Sequence, residues 1–169
     1  MSLHVCFVCS GNICRSPMAE MVFREHLRRE ALQDRVKVTS AGTGGWHVGD
    51  GADYRAAAVL AEHGYPYKHT AAQVNTDHLK ADLLVALDRG HHRALERLVE
   101  RVGGDPHRIV MLRSFDPNAR GDLEVPDPYY GGDSGFTRVL SMIEACMPGL
   151  LEWVRTNLDR QDANSKTPG

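Results

Sequence analysis

Residues 8–17 read Val-Cys-Ser-Gly-Asn-Ile-Cys-Arg-Ser-Pro and stand between two different hydrophobic patterns. The apolar run from Leu3 to Val8 precedes them and is typical of a buried strand. The amphipathic pattern from Met18 to Leu27 follows them and predicts a helix whose charged residues, Glu20 among them, face water. The stretch therefore predicts a strand, a short loop and a helix, in that order.

A loop in this position is suited to binding an oxyanion. The backbone N–H groups of successive loop residues can converge on one point, and the helix N-terminus adds partial positive charge. Arg15 adds a planar fork that can hold two phosphate oxygens at once. The same positive field favours the thiolate form of Cys9, and a thiolate beneath a bound phosphate is a nucleophile for phosphoryl transfer. The alternative is a buried structural cysteine beside a surface arginine.

The string from Cys9 to Pro17 resembles the phosphatase loop of the low-molecular-weight protein tyrosine phosphatases, Cys-x5-Arg followed by Ser. The segments Ser-Ala-Gly-Thr at 40–43 and Asp-Pro-Tyr-Tyr at 127–130 follow in the family's order. The likeness extends from Leu3 to about Leu158, and the Trp46-His47 pair resembles bacterial members more than animal ones. It implies that phosphate is bound by a set of loop residues: Ser10, Gly11, Asn12, Ile13, Cys14 and Arg15.

The composition indicates one globular domain with no obvious cofactor. The chain has 169 residues, of which 42% are hydrophobic and 25% charged, and its net charge of −2 provides no basic footprint for nucleic acid. No apolar run is long enough to cross a membrane. Its four cysteines do not form a disulfide framework, and no metal-binding spacing is present. These features favour a cytoplasmic protein, although export without a leader leaves no recognisable mark in a sequence.

Strand patterns alternate with helix patterns along the chain. We expect strands at about residues 3–8, 36–40, 82–87 and 108–112. This order predicts a single-domain α/β fold of three layers, with a four-stranded parallel sheet flanked by helices on both faces. The loops that follow the strands then meet at one edge of the sheet, which also carries the loop after Cys9.

The C-terminal region predicts one long helix and a tail. The helix pattern runs from Phe136 to Leu158, and Pro148 is expected to kink or break it. We assign residues 1–158 to the phosphatase-like domain. Residues 159–169 are polar and are predicted to form a flexible tail.

Two Asp-Pro pairs are candidates to supply a general acid. Asp127 stands between Pro126 and Pro128, which stiffen its backbone and help to aim the carboxylate. An isolated Asp-Pro usually marks a turn. The resemblance to the family's Asp-Pro-Tyr-Tyr segment implies that Asp127 is the acid. Asp116 lacks the paired tyrosines and is assigned to a turn.

The resemblance also implies a two-step reaction through a phosphocysteine. Cys9 attacks phosphorus while Asp127 protonates the leaving oxygen, and water then attacks the intermediate as Asp127 takes its proton. Arg15 and the loop amides stabilise the charge on the equatorial oxygens in both steps.

Further family positions match residues that support the loop. Ser16 is expected to donate a hydrogen bond to the Cys9 sulfur, and Asn12, Ser40 and His69 are expected to brace the loop. For His69 alone, an ordinary surface or capping histidine is the alternative reading.

Aromatic residues are candidates for the rim of the pocket. Trp46 lies in a Gly-rich loop, where it is either a satellite core residue or a wall for an aromatic substrate ring. Tyr129 and Tyr130 are the other candidate walls, and His47 is a candidate at the rim. A phenol has a pKa of about 10, so phenolate leaves more readily than an aliphatic alkoxide, which favours phosphotyrosine as substrate.

Two regulatory features are implied by the resemblance. Cys14 can form a reversible disulfide with the nucleophile and protect it from over-oxidation; a small packing residue is the alternative. Tyr129 and Tyr130 are possible targets of a cognate tyrosine kinase. The expected partners are thus a phosphotyrosine-containing protein and such a kinase, with no nucleic acid and no membrane.

Two competing functions remain open at this point. Arsenate reductases of the same fold share Cys-x5-Arg, but they need further cysteines to carry a disulfide away, and this chain has none from Gly42 to Gly131. A silent phosphotyrosine-binding module would be expected if Cys9, Arg15 or Asp127 were replaced, and all three are present.

Overall fold

The computed structural model describes residues 2–166, which contain four strands, six α-helices and two short 3-10 helices at Pro106–Arg108 and Leu112–Phe115; the strands and α-helices position the site. In chain order these are β1 (Leu3–Cys9), α1 (Arg15–Arg29), β2 (Val36–Gly42), α2 (Tyr54–Glu62), α3 (Thr76–Leu79), β3 (Leu83–Ala86), α4 (Arg89–Arg101), β4 (Ile109–Met111), α5 (Asp133–Ala145) and α6 (Met147–Lys166). The four strands occur where the sequence predicts them, within two residues at each end.

The strands form one parallel sheet in the order β2-β1-β3-β4. Because side chains alternate along β1, Phe7 faces one side of the sheet and Val8 the other. Phe7 belongs to a core cluster with α1, α2, α5 and α6, and Val8 to a cluster with α3 and α4. The predicted three-layer α/β fold is therefore confirmed.

The topology places the loop after β1 at a natural binding position. The chain passes from β1 to β2 on one side and returns to β3 on the other, so the strand order reverses at β1. Ligands of open parallel sheets bind in the crevice at such a reversal, outside the carboxyl ends of the strands. Cys9 is the last residue of β1 and pairs with Gly42 at the end of β2.

The C-terminal helix extends further along the chain than the sequence predicts. The expected break near Pro148 is confirmed, because α5 ends at Ala145 and α6 begins at Met147. The flexible tail predicted from Asp159 is wrong for residues 159–166, which continue α6. One anchor is a hydrogen bond of 2.9 Å from Arg35 to Asp162, a contact that a polar sequence does not reveal. The rest of the predicted tail, 167–169, lies outside the described residues.

Candidate active site

The loop at residues 10–14 turns sharply between β1 and α1. Asn12 adopts a left-handed backbone with φ of 58°, a conformation that asparagine tolerates better than most residues. The N–H groups of Thr43 and Gly44 donate to the carbonyls of Cys9 and Ser10, at 2.8 and 3.0 Å, and hold the start of the loop.

The N–H groups of the loop itself remain unpaired. Within residues 2–166, no acceptor takes a hydrogen bond from the backbone N–H groups of residues 10–14. Arg15 begins α1 directly after them, so the loop leads into a helix N-terminus. Unpaired amides next to a helix N-terminus are the elements of an anion site.

The sulfur of Cys9 makes a hydrogen bond with a serine of α1. Its Sγ is 2.8 Å from Ser16 Oγ, and both residues are buried. Asn12 Nδ2 donates to the same Ser16 oxygen at 2.8 Å. Because the hydroxyl already accepts from Asn12, its own proton is free to be donated to the sulfur.

The predicted brace of the loop is present. Asn12 Nδ2 also donates to Ser40 Oγ at 2.9 Å, and its Oδ1 accepts from the N–H of Ala72 at 2.9 Å. His69 Nε2 donates to the Asn12 carbonyl at 2.8 Å. His69 is thus part of the loop's support rather than a surface histidine. Every polar atom of the buried Asn12 side chain has a partner, which fixes the loop's left-handed turn.

Glu20 completes the brace, and its predicted exposure is wrong. Only 6% of this residue is accessible to solvent. Ser40 Oγ donates to Glu20 Oε1 at 2.5 Å, and Arg24 pairs with the other carboxylate oxygen at 2.6 Å. A charged residue on a helix is assigned to water by pattern alone. Only the packing of α1 against β2 shows that this carboxylate is buried with partners.

Arg15 reaches across the mouth of the loop. Its side chain is only 5% exposed, and its Nη1 donates to Asp88 Oδ2 and to the Val125 carbonyl, both at 2.9 Å. Its Nη2 lies 3.7 Å from Asp127 Oδ2. These contacts hold the fork between the loop and the segment that carries Asp127.

Asp88 is a site residue that the sequence interpretation missed. Burial opposes ionisation of this carboxyl, but the hydrogen bond from the N–H of His91, the His91 ring and the Arg15 guanidinium together lower the pKa of Asp88. Its Oδ1 also caps α4 by accepting from the His91 N–H. The available signal was a carboxylate directly after a buried strand that lies beside β1.

His91 was also missed. Its ring is buried, and its Nε2 lies 2.9 Å from Ser10 Oγ in the loop. Its Nδ1 is 3.2 Å from Asp88 Oδ1, but within residues 2–166 it makes no hydrogen bond of acceptable geometry. Burial, together with the charge of Arg15, lowers the pKa of His91 to about 4, so the ring is neutral.

Asp127 lines the same cavity as Cys9 and is accessible. Its side chain is 43% exposed, and its Oδ1 accepts from the N–H of Tyr129 at 3.0 Å, which sets its direction. Asp116 instead accepts from the N–H of Asn118 in a local turn, and it does not line the pocket. The structure therefore brings Asp127, and not Asp116, to the cavity that Cys9 lines.

A cavity of about 360 Å³ opens above the loop. Cys9, Arg15 and Asp127 all line it, and so do the four predicted rim residues Trp46, His47, Tyr129 and Tyr130. Trp46 is 76% exposed, so it is a wall of the cavity and not a core residue. Its ring lies over Gly44, where any side chain would collide with it. The cavity matches an aromatic group attached to an anion.

The four cysteines are all free and buried. Cys14 lines the cavity, and burial, together with the nearby charge of Asp53, raises its pKa to about 12. Burial also raises the pKa of Cys6 and Cys146 to about 12, and neither lines the cavity.

Two further observations concern ions and membranes. In the described part of the chain, no group of three or more His, Cys, Asp or Glu side chains is placed to hold a metal ion. Among residues 2–166, no helix has both the length and the apolar character needed to span a bilayer.

The fold and the site together define a class. A cysteine at the end of the first strand, a loop of unpaired amides, a buried arginine and an opposed carboxylate are the components of a cysteine-dependent phosphatase.

The comparisons with known proteins identify the family within that class. Residues 4–163 match the family model of low molecular weight phosphotyrosine protein phosphatases, and the chain belongs to this family. Low molecular weight protein-tyrosine phosphatase A of Mycobacterium tuberculosis is 58% identical over 159 residues, which is 94% of this chain and 95% of the relative. A Streptomyces coelicolor low molecular weight protein-tyrosine-phosphatase is 53% identical over 167 residues, 96% and 100% of the two chains.

Solved structures of phosphatases also match the fold of this chain. A protein tyrosine phosphatase from Entamoeba histolytica matches with a TM-score of 0.83 and 32% identity, over 92% of this chain and 99% of its own. The Drosophila arginine phosphatase DARP matches with a TM-score of 0.81 and 30% identity, over 88% and 95% of the two chains.

Proposed function

We propose that this protein is a tyrosine phosphatase that hydrolyses phosphotyrosine and other aryl phosphates through a phosphocysteine intermediate. The observation that carries the proposal is the placement of the Cys9 sulfur, the Arg15 guanidinium and the Asp127 carboxylate in one cavity with an aromatic rim. The family membership of the chain supports the same activity.

In the first step, the Cys9 thiolate attacks phosphorus and forms an S–P bond as the P–O bond to the phenol breaks. The N–H groups of residues 10–14 and the Arg15 fork stabilise the three equatorial oxygens, where negative charge is concentrated. Asp127 gives its proton to the phenolic oxygen, so that tyrosine leaves as a neutral phenol.

In the second step, water attacks the phosphocysteine, Asp127 takes a proton from that water, and the S–P bond breaks. Inorganic phosphate and the Cys9 thiolate are the products. The Ser16 hydroxyl, 2.8 Å from the sulfur, stabilises the thiolate as it leaves. Asp127 thus returns to its protonated form and the cycle closes.

Phosphoarginine is the second candidate substrate, because solved structures of this fold, DARP and YwlE, are named arginine phosphatases. The walls of this cavity favour the aryl ester. Trp46 and Tyr129 offer aromatic faces to a phenyl ring.

Arsenate reduction is disfavoured by the position of the cysteines. The reaction needs a thiol that can relay a disulfide to the surface, and Cys6 and Cys146 are both buried in hydrophobic clusters away from the cavity.

The decisive experiment measures phosphate release from aryl phosphates with leaving groups of different pKa. We expect Cys9→Ser to abolish turnover and to keep its affinity for inorganic phosphate, because the loop amides remain. Asp127→Asn should lower kcat/KM on the order of 10²-fold or more for basic phenols, with a smaller loss for p-nitrophenol. Asp116→Asn is the matched control, since it changes the other Asp-Pro pair, and it should behave as the wild type.

Several outcomes would contradict the proposal. Phosphate release that survives Cys9→Ser would exclude the phosphocysteine. An Asp127→Asn loss that does not depend on the leaving group would remove Asp127 from its role. Higher kcat/KM with phosphoarginine than with phosphotyrosine peptides, or thioredoxin-dependent arsenate reduction in place of hydrolysis, would assign the site to one of the other activities.

The remaining family-level roles are part of the same proposal. Cys14 is proposed to form a disulfide with Cys9 once the nucleophile is oxidised. Tyr130 is 90% exposed, which supports its proposed phosphorylation by a cognate kinase. The free state of all four cysteines supports a reducing, cytoplasmic environment.

A further inference from the structure

Arg55, in the first turn of α2, contacts the segment that follows Asp127. Its Nη2 donates to the Tyr129 carbonyl at 2.9 Å, and its Nη1 donates to the Gly131 carbonyl at 3.2 Å. Both carbonyls lie in the irregular stretch before α5, which has no strand or helix to hold it. One guanidinium therefore fixes two peptide groups of this stretch at once.

The guanidinium is itself held in place by Asp53. Arg55 Nε and Nη2 donate to the two oxygens of that carboxylate, each at 3.1 Å, in a bidentate pair. Asp53 is in turn tied to the loop at residues 10–14, called the phosphate loop from here on, because its backbone N–H donates to the Ile13 carbonyl at 2.8 Å. A continuous chain of contacts thus runs from the loop at Ile13, through Asp53 and Arg55, to Tyr129.

Aromatic rings confine the side chain further. The centre of the guanidinium lies 4.6 Å from the centroid of the buried Phe136 ring in α5 and 5.6 Å from the centroid of Tyr129. The side chain is only 18% exposed. A planar guanidinium can donate along its edge while its faces contact rings, and a lysine ammonium cannot do both.

Tyr129 links this arrangement to Asp127. Its carbonyl accepts from Arg55, and its N–H donates to Asp127 Oδ1 at 3.0 Å. The direction of the Asp127 carboxylate therefore depends on a residue whose position Arg55 sets. Arg55 does not line the cavity, so its influence on the reaction passes through Tyr129 and Asp127.

We propose that Arg55 is a positioning residue for the general acid, holding the Asp127 segment in register with the phosphate loop. The inference rests on the proposed function, since it concerns the proton that Asp127 donates. It predicts that loss of the fork impairs proton transfer to the leaving group and leaves phosphate binding intact.

The test compares Arg55→Lys and Arg55→Gln with the wild type. The values of kcat/KM are measured for aryl phosphates over a range of leaving-group pKa. Both variants should lose activity on the order of tenfold with phenyl phosphate and less than about threefold with p-nitrophenyl phosphate, which needs less protonation. The lysine variant keeps the positive charge but not the planar fork of donors. Similar losses of kcat/KM in both variants would therefore assign the effect to the fork and not to the charge. Inhibition by inorganic phosphate should change less than about twofold, because the loop donors are untouched.

Arg97→Lys is the control, since Arg97 is exposed on α4 and does not line the cavity. It should match the wild type with every substrate.

A double-mutant cycle provides the sharper readout. In an Asp127→Asn background, Arg55→Lys should cause no further loss, because the acid that it positions is already absent. If the role of Arg55 is purely structural, its replacement should reduce kcat/KM equally for all leaving groups. Arg55→Lys should then also cause its full loss of activity in the Asp127→Asn background. Either result would overturn the inference. Thermal unfolding of each variant shows whether it folds. If one of the two Arg55 variants does not fold, the kinetics of the other variant test the inference.

Failure of this inference is distinguishable from failure of the proposed function. If the wild type shows no Cys9-dependent hydrolysis, the proposed function fails. If the wild type hydrolyses aryl phosphates with Asp127 as acid, and the Arg55 variants keep its leaving-group dependence, only the positioning role is lost.

Discussion

Asp88 accepts a hydrogen bond of 2.9 Å from Arg15, although the two residues are 73 positions apart in the chain. Arg15 lies at the start of α1, and Asp88 follows β3 at the N-cap of α4, so the bond joins the phosphate loop to the segment after the neighbouring strand. It holds one nitrogen of the guanidinium. Arg15 also lines the cavity, and its Nη2 lies 3.7 Å from Asp127 Oδ2.

Removal of the Asp88 carboxylate should therefore disorder the arginine. We expect Asp88→Ala to lower kcat/KM for p-nitrophenyl phosphate on the order of 10²-fold, because Arg15 loses its orientation. Asp88→Asn should lose less, since its one amide oxygen can still accept from either Arg15 or the His91 N–H, whereas alanine accepts from neither. Steady-state kinetics of both variants check that the alanine variant loses more activity than the asparagine variant. Equal activity of the alanine variant and the wild type would show that Arg15 does not need this partner.

Asn12 combines a strained backbone with a full set of hydrogen bonds, and two substitutions separate these contributions. Asn12→Gly and Asn12→Ala both lose the side-chain bonds to Ser16, Ser40 and Ala72. Only the alanine variant is also destabilised by the left-handed backbone at φ of 58°, which costs on the order of 1 kcal/mol for a residue with a Cβ atom. Both variants should lose activity, and the free energy of unfolding should be lower for alanine than for glycine by about that amount. Urea denaturation measures the difference, and a glycine variant less stable than alanine would contradict it.

The neutral state of His91 predicts a dependence of stability on pH. The unfolded chain takes up this proton near pH 6.5, whereas the folded protein does so only near pH 4, because the ring is buried and Arg15 is close. Asp88 and Asp127 face the ring and oppose this effect only in part. The unfolded state therefore binds more protons in this window, and the free energy of unfolding falls as the pH decreases through it.

His91→Gln should reduce this fall. The glutamine amide does not titrate, so between pH 7 and pH 4 the variant should lose less stability than the wild type, by up to about 3 kcal/mol. Urea denaturation at the two pH values measures both losses. Titrating groups away from the His91 ring are common to both proteins and cancel in the comparison. Asp88 is the exception, because the ring lowers its pKa, but this carboxyl titrates mostly below pH 4 and so contributes little to the difference. Identical losses would show that His91 takes up its proton at the same pH in the folded and unfolded states.

The sequence predicted the parts of the site that are local in the chain. Strand β1, the loop and α1 follow one another, so residue order alone places Cys9, Ser16 and Arg15 around one point. Hydrophobic patterns likewise predicted the four strands, and the right-handed crossover rule placed the loops after them on one edge of the sheet.

The parts that the sequence did not predict are contacts between distant segments. Ser10 and His91 are 81 positions apart, and Arg55 and Tyr129 are 74 apart. Helical periodicity assigns charged residues such as Glu20 to water, and nothing in α1 alone shows that Ser40 of β2 lies against this carboxylate. Such partners follow from packing, which a pattern along one element does not contain.

Gly42, the last residue of β2, packs closely against the backbone of the phosphate loop. A Cβ atom at this position would lie 2.6 Å from the Ser10 carbonyl oxygen and 3.1 Å from the Gly11 carbonyl carbon. Both are backbone atoms of the loop, which cannot move aside as a flexible side chain would. Gly42→Ala should therefore displace the loop amides from the anion and lower kcat/KM on the order of 10²-fold, with a weaker affinity for inorganic phosphate. Gly51→Ala is the matched control, because its nearest neighbour would be the His69 carbonyl oxygen at an ordinary 3.8 Å. Steady-state kinetics and phosphate inhibition of the two variants measure the effect, and equal activities would show that the loop tolerates a shift of this size.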